Sequence, residues 1–564
     1  MNITSFEFAL FFAVVLPLNW LLRPFSGAYR LFLLLASYVF YASFNAKFLL
    51  ILLVFSFLTW FFAVVFAETS DARFRRFCLI LYVGFSLGML IFFKYYEMLY
   101  ISADWLFRLL SISSPVPLLD VIMPIGISFF TFQGMSYAID VYRDPGKVER
   151  SLVEVFCFIS FFPTILSGPI LRAGNFLGQL QKQRPEQVDF TRAFYLLTRG
   201  LVKKIIISSY LSEHIVRVTF GAPSGYSSAA VLVGILSYTV QIYCDFSGYS
   251  DLAQGVGLLM GFDIPDNFNA PYTSRSLRDF WRRWHITFST WLRDYLYISL
   301  GGNRKGTGRK YLNLVTTMAL GGLWHGAAYN FLVWGFIHGF GLVGAHMVGE
   351  LRASRAATRA ASRAAAIQAT GAATDAVAGA APGEGAGALT GEAAGARTGA
   401  KAGKAAAATT GKAAAATTAT AAGAAIGKAA AATTTGTTSG AALQPSPGWA
   451  VSDGLWNALC WAVTFAYVNV AWVFFGAEDA GKAVEILRRV AAFDADGAGF
   501  RPTCLILVGL VLVVQLLHLT GRDVFRKSFE WLPFPAQGVA LGVISACILK
   551  LGPDGVLPFI YFQF

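Results

Sequence analysis

Two histidines are the side chains of this sequence best suited to chemistry. His285 ends a charged, tryptophan-rich segment, residues 278–285, and His325 lies about forty residues later in a glycine-rich apolar segment, residues 320–326. An ionisable side chain inside an apolar run of membrane length indicates a functional site. Because burial disfavours a charged imidazole, His325 is expected to be neutral and able to accept a proton. The residues alone leave a general base and a hydrogen-bonded structural histidine equally open.

Small and polar neighbours surround His325. Gly321, Gly322 and Gly326 would let another backbone approach closely, or let the helix break there. Trp324 and Asn330 are close in sequence, and we expect them to contact a substrate if the histidine is catalytic.

The segment from Arg278 to Ile298 predicts one helix with two faces. At 3.6 residues per turn, one face is aromatic and apolar: Trp281, Trp284, Phe288, Trp291, Tyr295 and Ile298. The adjacent face carries Arg278, Arg282, Ser289 and Arg293, and His285 lies at the boundary. This pattern is typical of a helix in the membrane interface, and an ordinary interfacial anchor is one interpretation.

A second interpretation of the same segment is a binding site for phosphate groups. Residues 275–310 contain nine Lys or Arg against Asp279 and Asp294, which also indicates the cytoplasmic side. Arg282 and Arg283 are the candidates for holding a ligand with several phosphates, such as a coenzyme A thioester.

The composition indicates a helical membrane protein. The 564 residues are 56% hydrophobic and 14% charged, and the apolar runs are continuous rather than alternating. We interpret the net charge of +13 as loops facing anionic lipid, with the lipid bilayer and not nucleic acid as the partner. Basic residues after the first and third runs place the amino terminus outside.

The apolar runs, among them those at about 48–67 and 152–171, predict roughly eleven membrane crossings. In the run at residues 118–142, Pro124 and Gly126 would kink or open the helix. In the run at residues 228–262, Asp245 and Asp251 are costly near membrane depth unless they are paired or face water. These two carboxylates are candidates for substrate binding, and pairing with nearby arginines is an equal alternative.

Three regions follow from the composition. Residues 1–349 form the core with the candidate site, and residues 449–564 add the last membrane helices of the same domain. Between them, residues 350–448 are rich in Ala, Thr and Gly, with enough Ala and Arg over about 350–367 for a helix extension. The rest of that insert has too little apolar surface to offset the entropy of ordering, so we expect disorder and no catalytic role.

Metal and disulfide chemistry have no support in the sequence. The six cysteines show no paired spacing, and no metal-ligand cluster, Walker pattern or serine nucleophile elbow occurs. We expect no metal and no bound cofactor.

Several motifs together resemble the membrane-bound O-acyltransferase (MBOAT) family, in particular its bacterial branch that includes alginate O-acetylase. The matching stretches are residues 123–134, Tyr137, residues 140–143, 162–172, 243–251, 267–272, 280–285, 295–303 and 321–326. They follow the family's order across residues 1–348, whereas the insert at 350–448 departs from it.

The resemblance implies an all-α polytopic fold, with interfacial or re-entrant helices around a central tunnel, in the bacterial inner membrane. It implies His325 of the Trp-His-Gly motif as the catalytic residue and His285 as the second functional position. Acetyl-CoA is the expected donor substrate, and a periplasmic SGNH-type acetyltransferase is the expected partner. We expect O-acetylation of an exopolysaccharide such as alginate.

Two alternatives remain. A D-alanyl exporter of the same family would take its acyl group from a carrier-protein thioester. A transporter without acyl chemistry would also use broken helices and buried polar groups.

Overall fold

The computed structural model describes residues 1–112, 118–182, 188–378, 451–519 and 524–551, and these residues are almost entirely helical. They contain no β-strand, only an isolated bridge between Tyr226 and Ala498. The predicted all-α fold is confirmed. The described residues of Met1–Ala353 and Leu455–Phe564 form one compact unit, and a second unit covers Ser354–Gly454.

Six described helices are long and apolar enough to cross a membrane: Ala46–Glu68, Ala72–Leu109, Ser228–Leu259, Tyr329–Ala369, Gly454–Gly476 and Pro502–Leu519. Two shorter apolar helices are Phe6–Leu22 and Phe534–Ala546. The multi-pass membrane character predicted from composition is therefore confirmed.

The remaining helices are shorter or more polar. They are Ser26–Ala42, Ile127–Arg143, Leu152–Ser160, Ala173–Gln181, Phe190–Leu201, Arg217–Gly221, Leu277–Arg283, Ile286–Trp291, Gly306–His325, Ala480–Ala491 and Val524–Trp531. Several π-helical stretches interrupt the series, at Ile91–Tyr95, Val202–Ser208, Ser212–Val216 and Leu292–Tyr297.

Two apolar runs are less helical than their composition suggests. The helix Ile127–Arg143 starts only after Gly126, whose φ is +77° and whose missing Cβ would lie 2.6 Å from the Ile165 carbonyl oxygen. The predicted opening at Pro124 and Gly126 is therefore observed. The run at residues 152–171 is helical only over Leu152–Ser160, and turns follow it.

The prediction of one continuous helix from Arg278 to Ile298 is wrong. Leu277–Arg283 ends at an extended Trp284, and Ile286–Trp291 begins after His285, whose φ is +44°. The backbone of residues 267–269 keeps this part of the chain from forming a helix. Ile286 N donates to Asn267 O at 2.9 Å, and Asn269 N donates to Arg283 O at 2.9 Å. These bonds replace helical ones, and local periodicity cannot reveal them.

The helix that begins at Tyr329 runs to Ala378. The predicted helix extension over residues 350–367 is present and continues for about three turns beyond residue 367, to Ala378. The disorder predicted for the rest of the insert concerns residues 379–448, which lie outside the described residues.

Candidate active site

His285 lies at the break between two short helices, and its side chain is fully buried. A non-glycine residue at φ +44° is strained, and such strain is found where surrounding structure imposes it. The surroundings here are the loop around Asn267, whose backbone pairs with Ile286. The strain therefore aims the imidazole into the protein interior.

The amide of Asn267 sets the tautomer of His285. Asn267 Oδ1 lies 3.1 Å from His285 Nδ1, and it also accepts from Thr287 N at 3.2 Å and Thr287 Oγ1 at 2.9 Å. An oxygen that only accepts requires the proton on Nδ1, which leaves a lone pair on Nε2. Within the described part of the chain, Nε2 has no hydrogen-bond partner. Burial holds the pKa of His285 well below its ordinary range, so the ring is a neutral proton acceptor.

His325 is the last residue of the helix Gly306–His325, called here the His325 helix, and only 3% of its surface is exposed. Its ring centroid lies 5.4 Å from that of Phe288, 5.1 Å from Trp334 and 5.2 Å from Phe475. His285 contacts the same Phe288 ring at 4.9 Å. The structure therefore brings both predicted histidines to one aromatic ring.

Trp324 contributes a second aromatic ring, beside Phe288, near both histidines. Its ring stacks on Phe288 at 4.4 Å and lies 6.1 Å from the His285 ring. Its carbonyl accepts from the Lys94 ammonium at 2.5 Å, and the His325 carbonyl accepts from the same group at 3.0 Å. Sequence analysis missed Lys94, although a lysine within an apolar run was a usable signal.

A cavity of about 730 Å³, called here the acidic cavity, lies directly beyond His325 in the chain and is partly lined by Ala327, Ala328 and Asn330. Its charged lining, among the described residues, is Lys94, Glu97, Asp120 and Glu478. The predicted residue Asn330 is 3% exposed, and its Nδ2 donates to Ala477 O at 2.8 Å. Its Oδ1 has no partner in the described residues and is available to a ligand.

A second cavity, of about 470 Å³ and called here the basic cavity, lies along the His325 helix before the histidine, at Leu314, Thr317 and Met318. The positively charged side chains in its wall are Arg278, Arg282 and Arg293. Of the two predicted arginines, only Arg282 lines it. Arg283 is turned to Asp279 Oδ1 at 3.0 Å and does not belong to the described lining.

The two predicted carboxylates are both paired with cations. Asp245 bonds Lys204 Nζ at 2.6 Å in a buried pair. Asp251 accepts from Arg199 at 2.5 and 2.8 Å and from Lys203 at 2.9 Å.

Of these two carboxylates, only Asp251 lines one of the described cavities. It lines a third cavity of about 430 Å³ that also includes Asn267. The structure therefore places Asp245 away from the described cavities, whereas Asp251 lies beside the residue that orients His285.

No group of three or more His, Cys, Asp or Glu close enough for a metal ion occurs among the described residues. The arrangement can instead take a proton at a neutral imidazole. It does so among buried aromatic rings. Residues before His325 in its helix line the basic cavity, and residues after it in the chain line the acidic cavity.

These features define a class, a helical membrane protein with two buried histidines that contact one aromatic ring. The model of the MBOAT, membrane-bound O-acyltransferase, family matches residues 36–370. The chain belongs to this family, and the predicted enzyme class, an O-acyltransferase, is confirmed with it.

Relatives within the family differ in their acceptors. The chain is 42% identical over 356 residues to "Probable alginate O-acetylase AlgI" of Pseudomonas aeruginosa, covering 61% of this chain and 66% of the relative. It is 33% identical over 340 residues to "Peptidoglycan O-acetyltransferase" of Helicobacter pylori, covering 56% and 63%. It is 30% identical over 231 residues to "Teichoic acid D-alanyltransferase" of Bacillus subtilis, covering 39% and 58%. The alignments thus span about two thirds or less of these relatives.

Proposed function

We propose that the chain moves an acetyl group from a cytoplasmic thioester donor, acetyl-CoA, across the bacterial inner membrane for O-acetylation of an exopolysaccharide such as alginate. The observation that carries this proposal is the pair of buried histidines on Phe288, with one cavity before His325 and another after it. The similarity to proteins named alginate O-acetylase supports the choice of acyl group and acceptor.

In this proposal His325 acts as the general base. Its neutral imidazole takes the proton of an acceptor hydroxyl while the oxygen attacks the thioester carbonyl carbon. The C–S bond then breaks, the thiolate leaves with coenzyme A, and the imidazolium returns the proton to the sulfur. His285 Nε2, kept as a lone-pair acceptor by Asn267, holds the acceptor molecule through a different donor group, because the single hydrogen of the attacking hydroxyl goes to His325.

The basic cavity suits the phosphates of the donor. Arg278, Arg282 and Arg293 provide three guanidinium groups along its wall, and guanidinium binds phosphate through paired hydrogen bonds. Arg293 is partly engaged by Asp294 at 2.7 Å, which leaves Arg278 and Arg282 as the main phosphate contacts.

The basic cavity lies at the end of the molecule that the positive-inside rule assigns to the cytoplasm. Arg75, in the basic cluster after the third apolar run, donates to Tyr142 O at 2.7 Å. The next residue, Arg143, donates to Asp294 O at 3.1 Å, beside Arg293 of the cavity. Excess Lys and Arg mark cytoplasmic loops, so the donor would enter from that side.

The charge of the acidic cavity indicates which acceptors can enter it. Its three described carboxylates outnumber its one lysine and repel a polyuronate such as alginate. Direct entry of the polysaccharide is therefore disfavoured, which supports a relay through a hydroxyl on a periplasmic SGNH-type acetyltransferase as the partner.

The same cavity favours one alternative function, D-alanyl transfer from a carrier-protein thioester. A D-alanyl ester carries an ammonium group that the carboxylates of Glu97, Asp120 and Glu478 would attract. The 30% identity to a teichoic acid D-alanyltransferase is consistent with it.

Sided membrane vesicles distinguish these functions. Inside-out and right-side-out vesicles from cells expressing the chain receive radiolabelled acetyl-CoA, which does not cross membranes, and label in macromolecular acceptors is counted. We expect transfer in inside-out vesicles only, with D-alanyl carrier thioester giving none. Equal labelling in both orientations would contradict a cytoplasmic donor site, and labelling by the D-alanyl thioester alone would establish the alternative.

A further inference from the structure

Lys94 reaches the end of the His325 helix from a distant part of the chain. It lies in the π-helical stretch Ile91–Tyr95, and its ammonium donates to the Trp324 and His325 carbonyls at 2.5 and 3.0 Å. The neighbouring Tyr95 hydroxyl donates to the Leu323 carbonyl at 2.5 Å. Three consecutive carbonyls that a helix end leaves without partners are thus bound by two adjacent side chains.

A neutral donor would suffice for capping, as Tyr95 shows, whereas a half-buried ammonium carries a cost. Among the described residues Lys94 forms no ion pair, and its remaining favourable contact is the Trp324 ring, 5.8 Å from the ammonium. Removing a cation from water is expensive when no carboxylate is paired with it. The helix dipole offsets part of this cost, because the carboxyl end of a helix attracts positive charge.

The position of this charge gives it a chemical consequence. Lys94 bonds the carbonyl of the histidine itself and also lines the acidic cavity into which the acceptor hydroxyl would enter. Burial is the main cause that lowers the pKa of His325, and the titratable groups that add to this effect are His285, Lys94 and His338. His285 is neutral, so the nearby positive charge belongs to Lys94, and a like charge disfavours protonation of an imidazole.

We propose that Lys94 is a positioning residue for acyl transfer, which fixes the backbone of His325 and keeps its imidazole in the neutral form that accepts a proton. This inference rests on the proposed function in assigning His325 as the base. It assigns no contact between Lys94 and the donor.

Three variants separate charge from capping. Lys94→Met removes the charge and the donor hydrogens while keeping an unbranched side chain. Lys94→Arg keeps the charge and can still reach the two carbonyls. Tyr95→Phe removes the adjacent cap at Leu323 and leaves the charge in place, so it is the matched control. Size-exclusion profiles of the purified proteins in detergent establish that each is folded.

The main readout needs neither donor nor acceptor. Diethyl pyrocarbonate reacts with an imidazole only in its neutral form, and mass spectrometry of the peptide containing His325 gives the rate of modification between about pH 4 and 8. In Lys94→Met we expect the midpoint of this rate to move to higher pH by roughly one unit. Lys94→Arg and Tyr95→Phe should keep the wild-type midpoint.

In inside-out vesicles, the pH at which the rate of acetyl transfer falls on the acid side should shift together with the midpoint of His325 modification. A folded Lys94→Met protein with an unchanged midpoint would overturn the proposal and leave Lys94 as a simple helix cap. Failure of the wild type to use acetyl-CoA would count against the proposed function alone, because the modification of His325 is measured without it.

Discussion

Asn267 and His285 show how one amide fixes the proton of a catalytic-site imidazole. The three hydrogen bonds to Asn267 Oδ1 arrive from His285 and from both donors of Thr287, so the oxygen has no freedom to move. A tautomer held in this way needs no reorganisation when the acceptor hydroxyl arrives. Neither residue type nor spacing reveals this bond, since the partners are brought together only by the break at His285.

Replacing Asn267 by Ala should therefore lower kcat for acetyl transfer by roughly 10²-fold, because His285 would no longer hold the acceptor in line for proton transfer to His325. The loss follows from a free choice of tautomer at His285, and donor binding should not change. Transfer rates at saturating and limiting acetyl-CoA in inside-out vesicles measure both quantities. Asn269→Ala is the control, because Asn269 is exposed and uses its backbone N–H, which alanine retains. Equal rates in both variants would contradict the orienting role.

Arg282 and Arg283 are adjacent in sequence and differ in what they face. Arg282→Ala should raise KM for acetyl-CoA by roughly tenfold, about 1.4 kcal/mol, because a guanidinium contact to phosphate is lost from the basic cavity. Arg283→Ala should leave KM unchanged, since Arg283 pairs with Asp279. Initial rates over a range of donor concentrations test this pair, and the reverse order would move the phosphate site away from the basic cavity.

Among the helices, close packing decides where His325 lies. The His325 helix meets the helix beginning at Tyr329 at Gly322, where a Cβ would collide with the Phe331 carbonyl oxygen and lie 3.0 Å from Gly335 Cα. Both neighbours are backbone atoms, which cannot turn aside as a side chain can. The glycines around His325 were expected to permit such an approach, and here the expectation and the structure agree.

Gly322→Ala should destabilise the protein by about 1–3 kcal/mol through overpacking and should reduce transfer, since it displaces His325. Gly84→Ala is the matched control. Gly84 also lies within a helix, Ala72–Leu90, but nothing lies within 4 Å of its added Cβ. Thermal unfolding in detergent should show a lower Tm for Gly322→Ala and an unchanged or slightly higher Tm for Gly84→Ala. Equal Tm values would mean that the two helices separate without cost.

Helix positions could be predicted where an apolar run is uninterrupted. The prediction failed where a distant part of the backbone supplies hydrogen bonds that replace those of the helix. Ala46–Glu68 agrees with the predicted run at residues 48–67, because twenty apolar residues leave few alternatives in a membrane. The predicted helix across His285 failed because residues 267–269 supply its hydrogen bonds from outside. Lys94 was missed for a related reason, since its partners at Trp324 and His325 are some 230 positions away.

At the scale of the whole molecule, family and function class were accessible from the sequence, whereas the cavities were not. The motifs around both histidines identified the family, and their chemistry suggested a proton acceptor. The division into a basic and an acidic cavity depends on which charged side chains line each cavity. The sequence gives no reason to prefer Arg282 over Arg283 as a phosphate contact, and only their tertiary contacts distinguish them.

The insert allows a test of the domain organisation. Replacing residues 379–448 by a Gly/Ser linker of equal length should leave acetyl transfer unchanged, because the segment has almost no large apolar or aromatic side chains for packing or catalysis. Transfer in inside-out vesicles, normalised to the amount of protein, is the measurement. A large loss of activity would show that the insert takes part in function.

The most direct test of the central claim is the transfer rate of His325→Ala in inside-out vesicles. His338→Asn is its control, because His338 is also fully buried and accepts from Trp281 Nε1 at 3.3 Å through an atom that asparagine replaces with its oxygen. With both proteins folded, we predict a loss of at least about 10²-fold for His325→Ala and near wild-type transfer for His338→Asn. Wild-type transfer by a folded His325→Ala protein would contradict the account and exclude His325 as the base.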